Sequence, residues 1–221
     1  MKRRTLDLIF SCGGVALAAV LLVMGVVLTS NANFAKDYVS DQLRAQKITF
    51  KSAAELTADE RKSECVVRYA GQLLSTGKQA ECYANEFIGL HVASTANGKT
   101  YAELGEVQTD LRARIAAAQK ADDPGLADLQ KQLQDVTASR ETLFKGETLR
   151  GLLLTSYGFS VFGAKGDQVA TVAYAGAGLL VVLSAAGFLH ALLTPRSRRF
   201  PTHERFATNS ERREPTAAGA R

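Results

Sequence analysis

Two long apolar runs lie towards the ends of this chain. Leu8 to Leu28 holds 21 residues without a charge, and Val169 to Leu193 holds 25 residues with no formal charge and one histidine. A helix needs about 20 such residues to cross the hydrocarbon core of a bilayer. Both runs mix Gly and Ala with Leu and Val, as membrane helices tolerate. We therefore predict transmembrane helices at 8–29 and 169–193.

The first run has an alternative interpretation as a cleaved signal peptide, because basic residues precede it. The small polar residues of 29–33 could offer a cleavage site. However, the run is longer than the ~7–15 residues of a signal-peptide core. The uncleaved helix is the interpretation that we favour.

The region between the runs, 30–168, has a helical period of apolar residues and no long alternating strands. We predict that Phe34 to Ala45 continues the first membrane helix outward. Further helices are predicted at Ser52–Glu64, with Ser52 or Thr57 as its N-cap, at Cys65–Leu74 and at Lys78–Ala96. The predicted fold class is all-α, with two transmembrane helices flanking an extracytoplasmic helical domain.

From Tyr101 onward the pattern is typical of a coiled coil. Apolar residues recur at spacings of three and four in two arms, which Asp122, Asp123, Pro124 and Gly125 separate. A short turn between two striped helices favours antiparallel packing, so we predict a helical hairpin. Arg140 interrupts the second stripe, and we expect its stem to pack while its head reaches water. The stripes consist of Leu104, Val107, Leu111, Ile115 and Ala118 in one arm, and Leu126, Leu129, Leu133, Val136, Arg140 and Leu143 in the other.

The stretch from Gly146 to Gly163 is too apolar for a solvated linker. Its 13-residue run from Gly151 to Gly163 is short for a membrane span. It could lie on the membrane surface, fold against the outer domain or lead helically into the second span. We favour a helix packed at the outer interface, where Tyr and Phe are common.

Charge is distributed unevenly along the chain. Residues 1–7 carry a net charge of +2, residues 30–168 a net charge of −1, and the tail 194–221 a net charge of +4. Basic flanks of membrane helices stay in the cytoplasm, so both termini are predicted to be cytoplasmic and the protein to be a multi-pass protein of the cell membrane. The tail is expected to be disordered, with Arg196, Arg198 and Arg199 contacting lipid headgroups. The excess of basic residues lies at the two ends rather than on a folded face, which argues against nucleic-acid binding.

Cys65 and Cys82 give the best local chemical signal. Both fall in the region that we place outside the cell, where disulfides persist. We predict a bridge between them, the alternative being two unpaired small residues in a core. Cys12 lies in the first apolar run and is expected only to pack.

Catalytic, cofactor and metal sites are not indicated. His91, His190 and His203 fall in the outer domain, the second span and the tail, so no two of them can share a metal ion within one chain. We expect His91 to be a partly buried hydrogen-bonding residue and His190 to reach the headgroups. An enzyme hypothesis would use Glu86, His91 or Glu147. No cofactor is expected.

Three sequence blocks resemble a family of uncharacterised actinobacterial two-span membrane proteins. The blocks are VRYAGQLLSTGKQAECYANEFIGLHV at Val67 to Val92, GKTYAEL at Gly98 to Leu104, and FKGETLRGLLLTSYGF at Phe144 to Phe159. The resemblance covers most of the chain except the tail. It implies the order span, outer blocks, span, and it implies no activity and no catalytic residues.

Three hypotheses for function follow. The first is a non-enzymatic accessory or scaffold component of a cell-envelope membrane complex, with the lipid bilayer and a membrane protein as partners. The second is an extracytoplasmic ligand-sensing module, against which stands the absence of a cytoplasmic output domain. The third, and least favoured, is a membrane enzyme.

Overall fold

The computed structural model describes residues 3–194, and within that range it is helical, with no strand. The all-α prediction is therefore confirmed. The tail, with Arg196, Arg198, Arg199 and His203, lies outside the described residues. The helices are α1 (Arg3–Ala45), α2 (Glu64–Arg68), α3 (Gly77–Cys82), α4 (Gly89–Thr95), α5 (Tyr101–Ala121) and α6 (Leu126–Leu193), with a 3₁₀ turn at Glu60–Lys62 and a π-helical turn at Tyr83–Ile88.

The chain divides into two compact units. The first comprises Met1–Val27 and Val169–Arg221, and the second comprises Leu28–Gln168. Two helices, α1 and α6, are long and apolar enough to span a membrane. In α1 the helix continues to Ala45, as the apolar stripe after Phe34 predicts.

The first unit is held together by small residues. Ala18, Ala173 and Ala177 are buried in it. A Cβ on Gly14 would meet Ser184, and a Cβ on Gly187 would meet Ser11. Small side chains let two helix backbones approach closely, which is the usual packing of helices in membranes.

The second unit is built around one main core, and both long helices contribute to it. Val39 and Leu43 of α1 and Leu153 of α6 are buried in it. The middle of the chain supplies its remaining buried residues, which are Phe50, Leu56, Val66, Leu74, Ala80, Cys82, Ala84 and Ile88. The 13-residue run before the second long apolar run is thus part of α6, and it packs on this core through Leu153.

Helix α3 starts where the backbone touches α6. Thr76 accepts a hydrogen bond from the Gln79 amide, and the Gln79 side chain accepts one from the Thr76 amide, which is a capping box. A Cβ on Gly77 would collide with Ser160 of α6. The cap fixes where α3 begins, and the glycine allows that first turn to lie directly on α6.

The predicted helix at 52–64 is wrong. Ser52 and Thr57 do bond to the glutamates three residues later, Glu55 and Glu60, but each pair closes only a turn. The Arg61 guanidinium donates to the carbonyl oxygens of residues 53 and 54, both at 3.3 Å. Those carbonyls are therefore bound by a side chain instead of by the amides of a continuing helix.

The predicted helix at 65–74 is too long. It ends at Arg68, and Gly71 follows with a left-handed φ of +72°. The backbone then pairs with the segment after α1, with Leu74 N donating to Ile48 O at 2.8 Å and Phe50 N donating to Gln72 O at 3.0 Å. The predicted helix at 78–96 corresponds to α3, the π-helical turn and α4 in succession.

The two arms around Asp122 to Gly125 meet through polar as well as apolar groups. Gln108 of α5 donates to Thr137 of α6 at 2.7 Å, and Leu104 lies in one small core with Leu143. Leu104, Leu111 and Ala118 are buried, as the stripe of the first arm predicts. From residue 104 to residue 108 of α5, the partners on α6 fall from residue 143 to residue 137. The helical hairpin stays a prediction.

Candidate functional site

The predicted disulfide is confirmed. Cys65 at the start of α2 and Cys82 at the end of α3 are bonded, with their Cα atoms 6.0 Å apart and 17 positions apart in sequence. Closing a loop of this size stabilises a fold by about 3 kcal/mol in the chain-entropy model. Because Cys82 is 4% exposed and belongs to the main core, the bond joins α2 to that core. The disulfide therefore has a structural role.

Glu60 is the most unusual side chain in the second unit, because it is an acidic residue with no exposed surface. Its Oε1 accepts a hydrogen bond from Lys51 Nζ at 2.7 Å, and its Oε2 accepts one from the Thr57 amide at 2.7 Å. His91 Nε2 lies 3.4 Å from Oε1. We call these four residues, Lys51, Thr57, Glu60 and His91, the Glu60 network.

Burial and hydrogen bonding act in opposite directions on the pKa of Glu60. Burial raises the pKa of the Glu60 carboxyl, but the bonds from Lys51 and from the Thr57 backbone and hydroxyl outweigh that effect and leave the pKa below its ordinary value. Burial, and then the Glu60 charge, raise the pKa of the neighbouring Tyr83 hydroxyl. Glu60 is thus held ionised, which is the state of a structural ion pair rather than of a general acid at neutral pH.

Aromatic rings surround this network. Phe50, Tyr83, Phe87 and His91 are in contact in succession, at centroid separations of 5.0, 4.7 and 4.6 Å. Lys51 Nζ lies 5.3 Å from the centre of the Phe87 ring. Tyr83 and Phe87 of the π-helical turn and His91 of α4, spaced four residues apart, thus line one side of the buried charge. The network ties the segment 51–60 to α4, and this is the arrangement that sequence reasoning missed.

His91 is more exposed than the sequence predicts, since 49% of its side chain is accessible. Its Nδ1 lies 2.7 Å from the Phe87 carbonyl oxygen. Glu86, one of the other candidates for enzyme chemistry, borders a small pocket beside the disulfide. Glu147 pairs with Arg150 at 3.4 Å. The three side chains proposed for an enzyme therefore have separate surroundings, and His91 meets Glu60 instead.

A second candidate functional site is a cleft of about 610 Å³ in the second unit. Lys78 lies in its wall, donating to Glu81 at 2.9 Å and to the Tyr157 hydroxyl at 3.3 Å. The bonds to Glu81 and then to Tyr157 raise the pKa of Lys78. Lys36, the other ammonium group of the cleft, forms an ion pair with Asp167. The walls are formed by Lys36, Asp37, Val39, Ser40, Ser75, Thr76, Gly77, Lys78, Tyr157, Ser160, Val161 and Ala164. This lining could bind a small molecule with both polar and apolar parts.

His190 in the first unit has a partner that the sequence did not indicate. Its Nδ1 lies 3.0 Å from Asp7 Oδ2. The expectation that it only reaches headgroups is therefore incomplete, because it also joins α6 to α1 beside the tight contacts of Gly14 and Gly187. Cys12 is a free and exposed cysteine.

Among residues 3–194, no group of three or more His, Cys, Asp or Glu side chains could hold a metal ion. Comparisons of the chain with protein-family models, curated proteins and solved structures gave no match.

Proposed function

We propose that this chain is an integral membrane protein that crosses the bilayer twice and carries residues 30–168 outside the cell. The support is the apolar surface of the two long helices: Phe10, Val23, Val172 and Leu192 are each at least 65% exposed within the chain. Contiguous apolar surface of that kind is covered by lipid or by protein in a stable molecule. The basic flanks at 1–7 and 194–221 favour cytoplasmic termini.

Its proposed role is that of a scaffold or accessory component of a cell-envelope membrane complex, without catalysis. One observation carries this proposal: Val39 and Leu43 of α1 are buried in the same core as Leu153 of α6. On this proposal both membrane helices continue into one disulfide-linked core of the second unit. Such a support suits the positioning of a partner protein in the envelope.

Two experiments test this proposal. A reporter that works only in the cytoplasm, fused after Arg221, should be active, and the same reporter inserted at Pro124 should be silent. Cytoplasmic activity at Pro124 would refute the orientation. Purification in mild detergent followed by mass spectrometry should then give a second membrane protein in a fixed ratio, and repeated purification without one would refute the scaffold role.

A ligand-sensing role is the second candidate, and the cleft with Lys36, Lys78 and Tyr157 favours it. On this proposal a small molecule copurifies with the parent protein and is lost from a Lys78→Ala, Tyr157→Phe double variant. A matched change at Lys145, which pairs with Glu141 in solvent at 2.7 Å, should keep it. Equal recovery of the molecule from both variants would show that the cleft is not its site.

A further inference from the structure

The charged side chains that line the cleft of the second unit are Lys36, Asp37 and Lys78. Each lysine already has a carboxylate partner, since Lys36 pairs with Asp167 and Lys78 pairs with Glu81 at 2.9 Å. Asp37 has no hydrogen-bond or ion-pair partner within the described part of the chain. Two lysines in a cleft suggest an anionic ligand, but the pairing shows that the unmatched charge is a carboxylate. The cleft therefore lacks a cation.

Both lysines nevertheless keep N–H groups for a ligand. An ammonium group has three N–H donors. Lys36 uses one of them on Asp167, and Lys78 uses two, on Glu81 and on the Tyr157 hydroxyl. Remaining donors thus stand in the same cleft as an unpaired carboxylate. A zwitterion, with acceptor oxygens at one end and a cation at the other, matches both.

The lower end of the cleft reaches the lipid headgroups, a step that rests on the proposed function, in which the bilayer core begins at Val169. Asp167 precedes Val169 by two residues, which is ~3 Å of helix. The headgroup layer is about 5–8 Å thick, so the Lys36 ammonium, held by Asp167, lies within it. Asp37 follows residue 29, the end of the first predicted span, by eight residues, or ~12 Å. Its side chain tilts back towards the bilayer, because side chains tilt towards the N-terminus of their helix. The carboxylate of Asp37 therefore stands just outside the ammonium of Lys36.

We infer that the cleft binds the phosphoethanolamine headgroup of a membrane phospholipid. Lys36 donates to the phosphate oxygens in the headgroup layer, and the primary ammonium beyond the phosphate donates to Asp37. A quaternary choline group cannot replace it, because that group has no N–H donor. Val161 and Ala164, the apolar lining residues of α6 on the side of the second apolar run, face the uncharged part of the lipid. The volume of about 610 Å³ is within the range of small-ligand sites.

Lipid retention by the full chain tests this inference. The protein is extracted in mild detergent from vesicles of equal phosphatidylethanolamine, phosphatidylcholine and phosphatidylglycerol, and the retained lipids are counted by native mass spectrometry. We expect about threefold more phosphatidylethanolamine than either other lipid, the ratio that one partly exposed charged hydrogen bond gives. Asp37→Asn should remove this preference, and Asp41→Asn, at an exposed position one turn further along α1 and outside the cleft lining, should keep it. Equal retention of the three lipids by the parent would overturn the inference, and so would equal losses in the two variants.

Charge reversal separates the binding site from the fold. Asp37→Lys breaks no contact within the described chain and improves helix propensity, so the midpoint of thermal unfolding should match that of the parent. This variant should retain the anionic phosphatidylglycerol in preference to phosphatidylethanolamine, and an unchanged preference would refute the role of Asp37.

A soluble competitor identifies the source of the headgroup. Glycerophosphoethanolamine has the same charged groups without acyl chains, and it should not displace the retained lipid. Displacement would show that a free compound is the ligand and would overturn the lipid as its source. Failure of the membrane proposal itself would be detected independently by the Pro124 reporter.

Discussion

The guanidinium carbon of Arg140 lies 4.1 Å from the centre of the Tyr101 ring, so that a cation in α6 stacks on the first residue of α5. The same group donates to the Gln108 side-chain oxygen at 2.9 Å and to the Tyr101 carbonyl oxygen at 3.3 Å. Arg140 is partly buried, and its planar head is bound on one side by the ring and at its edge by acceptors, partners that the expectation of a head in water did not include. An arginine in an apolar stripe therefore joins the two arms.

Arg140→Ala should destabilise the contact between the arms by about 1–3 kcal/mol. The change removes a cation–π contact and two hydrogen bonds, and it leaves the Gln108 oxygen, in a side chain with little exposure, without that donor. Hydrogen exchange of the α5 amides in the full chain in detergent measures this loss. Arg114→Ala is the control, since Arg114 is exposed and pairs with Asp110 at 3.7 Å. Equal exchange in the two variants would show that the stacking contributes nothing.

Arg140 illustrates what sequence pattern could and could not predict here. Apolar residues spaced three and four apart predict α5 and the start of α6, because the residues that make one helix face are close together in sequence. Tyr101 is 39 positions from Arg140 in sequence, so its ring as a partner follows only from the fold. The disulfide was predictable for a different reason, since the region between the two apolar runs holds two cysteines and therefore a single possible pairing.

The segment 52–64 shows the opposite case. A Ser or Thr followed three residues later by Glu predicts a helix start, and both such pairs do form. The helix fails because Lys51 binds the Glu60 carboxylate in the core and Arg61 binds the backbone carbonyls ahead of it. A capping pattern therefore specifies a turn, and tertiary contacts decide whether a helix continues from it.

Cys65→Ser should release Cys82 to a thiol reagent and lower the midpoint of thermal unfolding. Because the unfolded chain is no longer constrained by a closed loop, the free energy of unfolding should fall by about 3 kcal/mol. Denaturant-unfolded samples of parent and variant, labelled without reductant, report the number of free thiols. The Cys12→Ala background is needed because Cys12 is free. In that background, a parent protein that already labels at Cys82 would show that the bond is absent in solution.

Glu60→Gln should destabilise the second unit and remove part of its sensitivity to acid. Because the pKa of Glu60 is lowered in the folded protein, its contribution is present above the ordinary glutamate pKa of about 4.3 and is lost as the pH falls through the folded value. At neutral pH the free energy of unfolding of the variant should be about 1–3 kcal/mol lower than that of the parent, since Lys51 loses its carboxylate partner.

The measurement is urea unfolding of the full chain at pH 7 and below pH 4.3, the ordinary glutamate value. The parent and the Gln variant should become more alike at the lower pH. Glu141→Gln is the control, because the Lys145 bond also lowers the pKa of the exposed Glu141, but solvent screening leaves that pair weak. If the difference in the free energy of unfolding between the parent and Glu60→Gln does not change with pH, the assignment of an ionised Glu60 is contradicted.

One leucine from each arm can distinguish an internal hairpin from an open docking surface. Leu111 of α5 is 3% exposed, whereas Leu133 of α6 is only half-buried. Leu111→Ala should therefore cost about 2–5 kcal/mol, as buried leucine truncations do, and Leu133→Ala about 1–2 kcal/mol because fewer of its methylenes leave water. Arg112→Ala and Lys131→Ala, at exposed positions of the same two helices, should stay within about 0.5 kcal/mol of the parent. Hydrogen exchange of the α5 amides in the full chain gives each value.

If both leucine variants match the exposed controls while a partner protein is lost on purification, the stripes face that partner. In that case Leu111 would be covered in the complex by the partner rather than by the second arm, and the pairing of α5 with α6 would have to be abandoned.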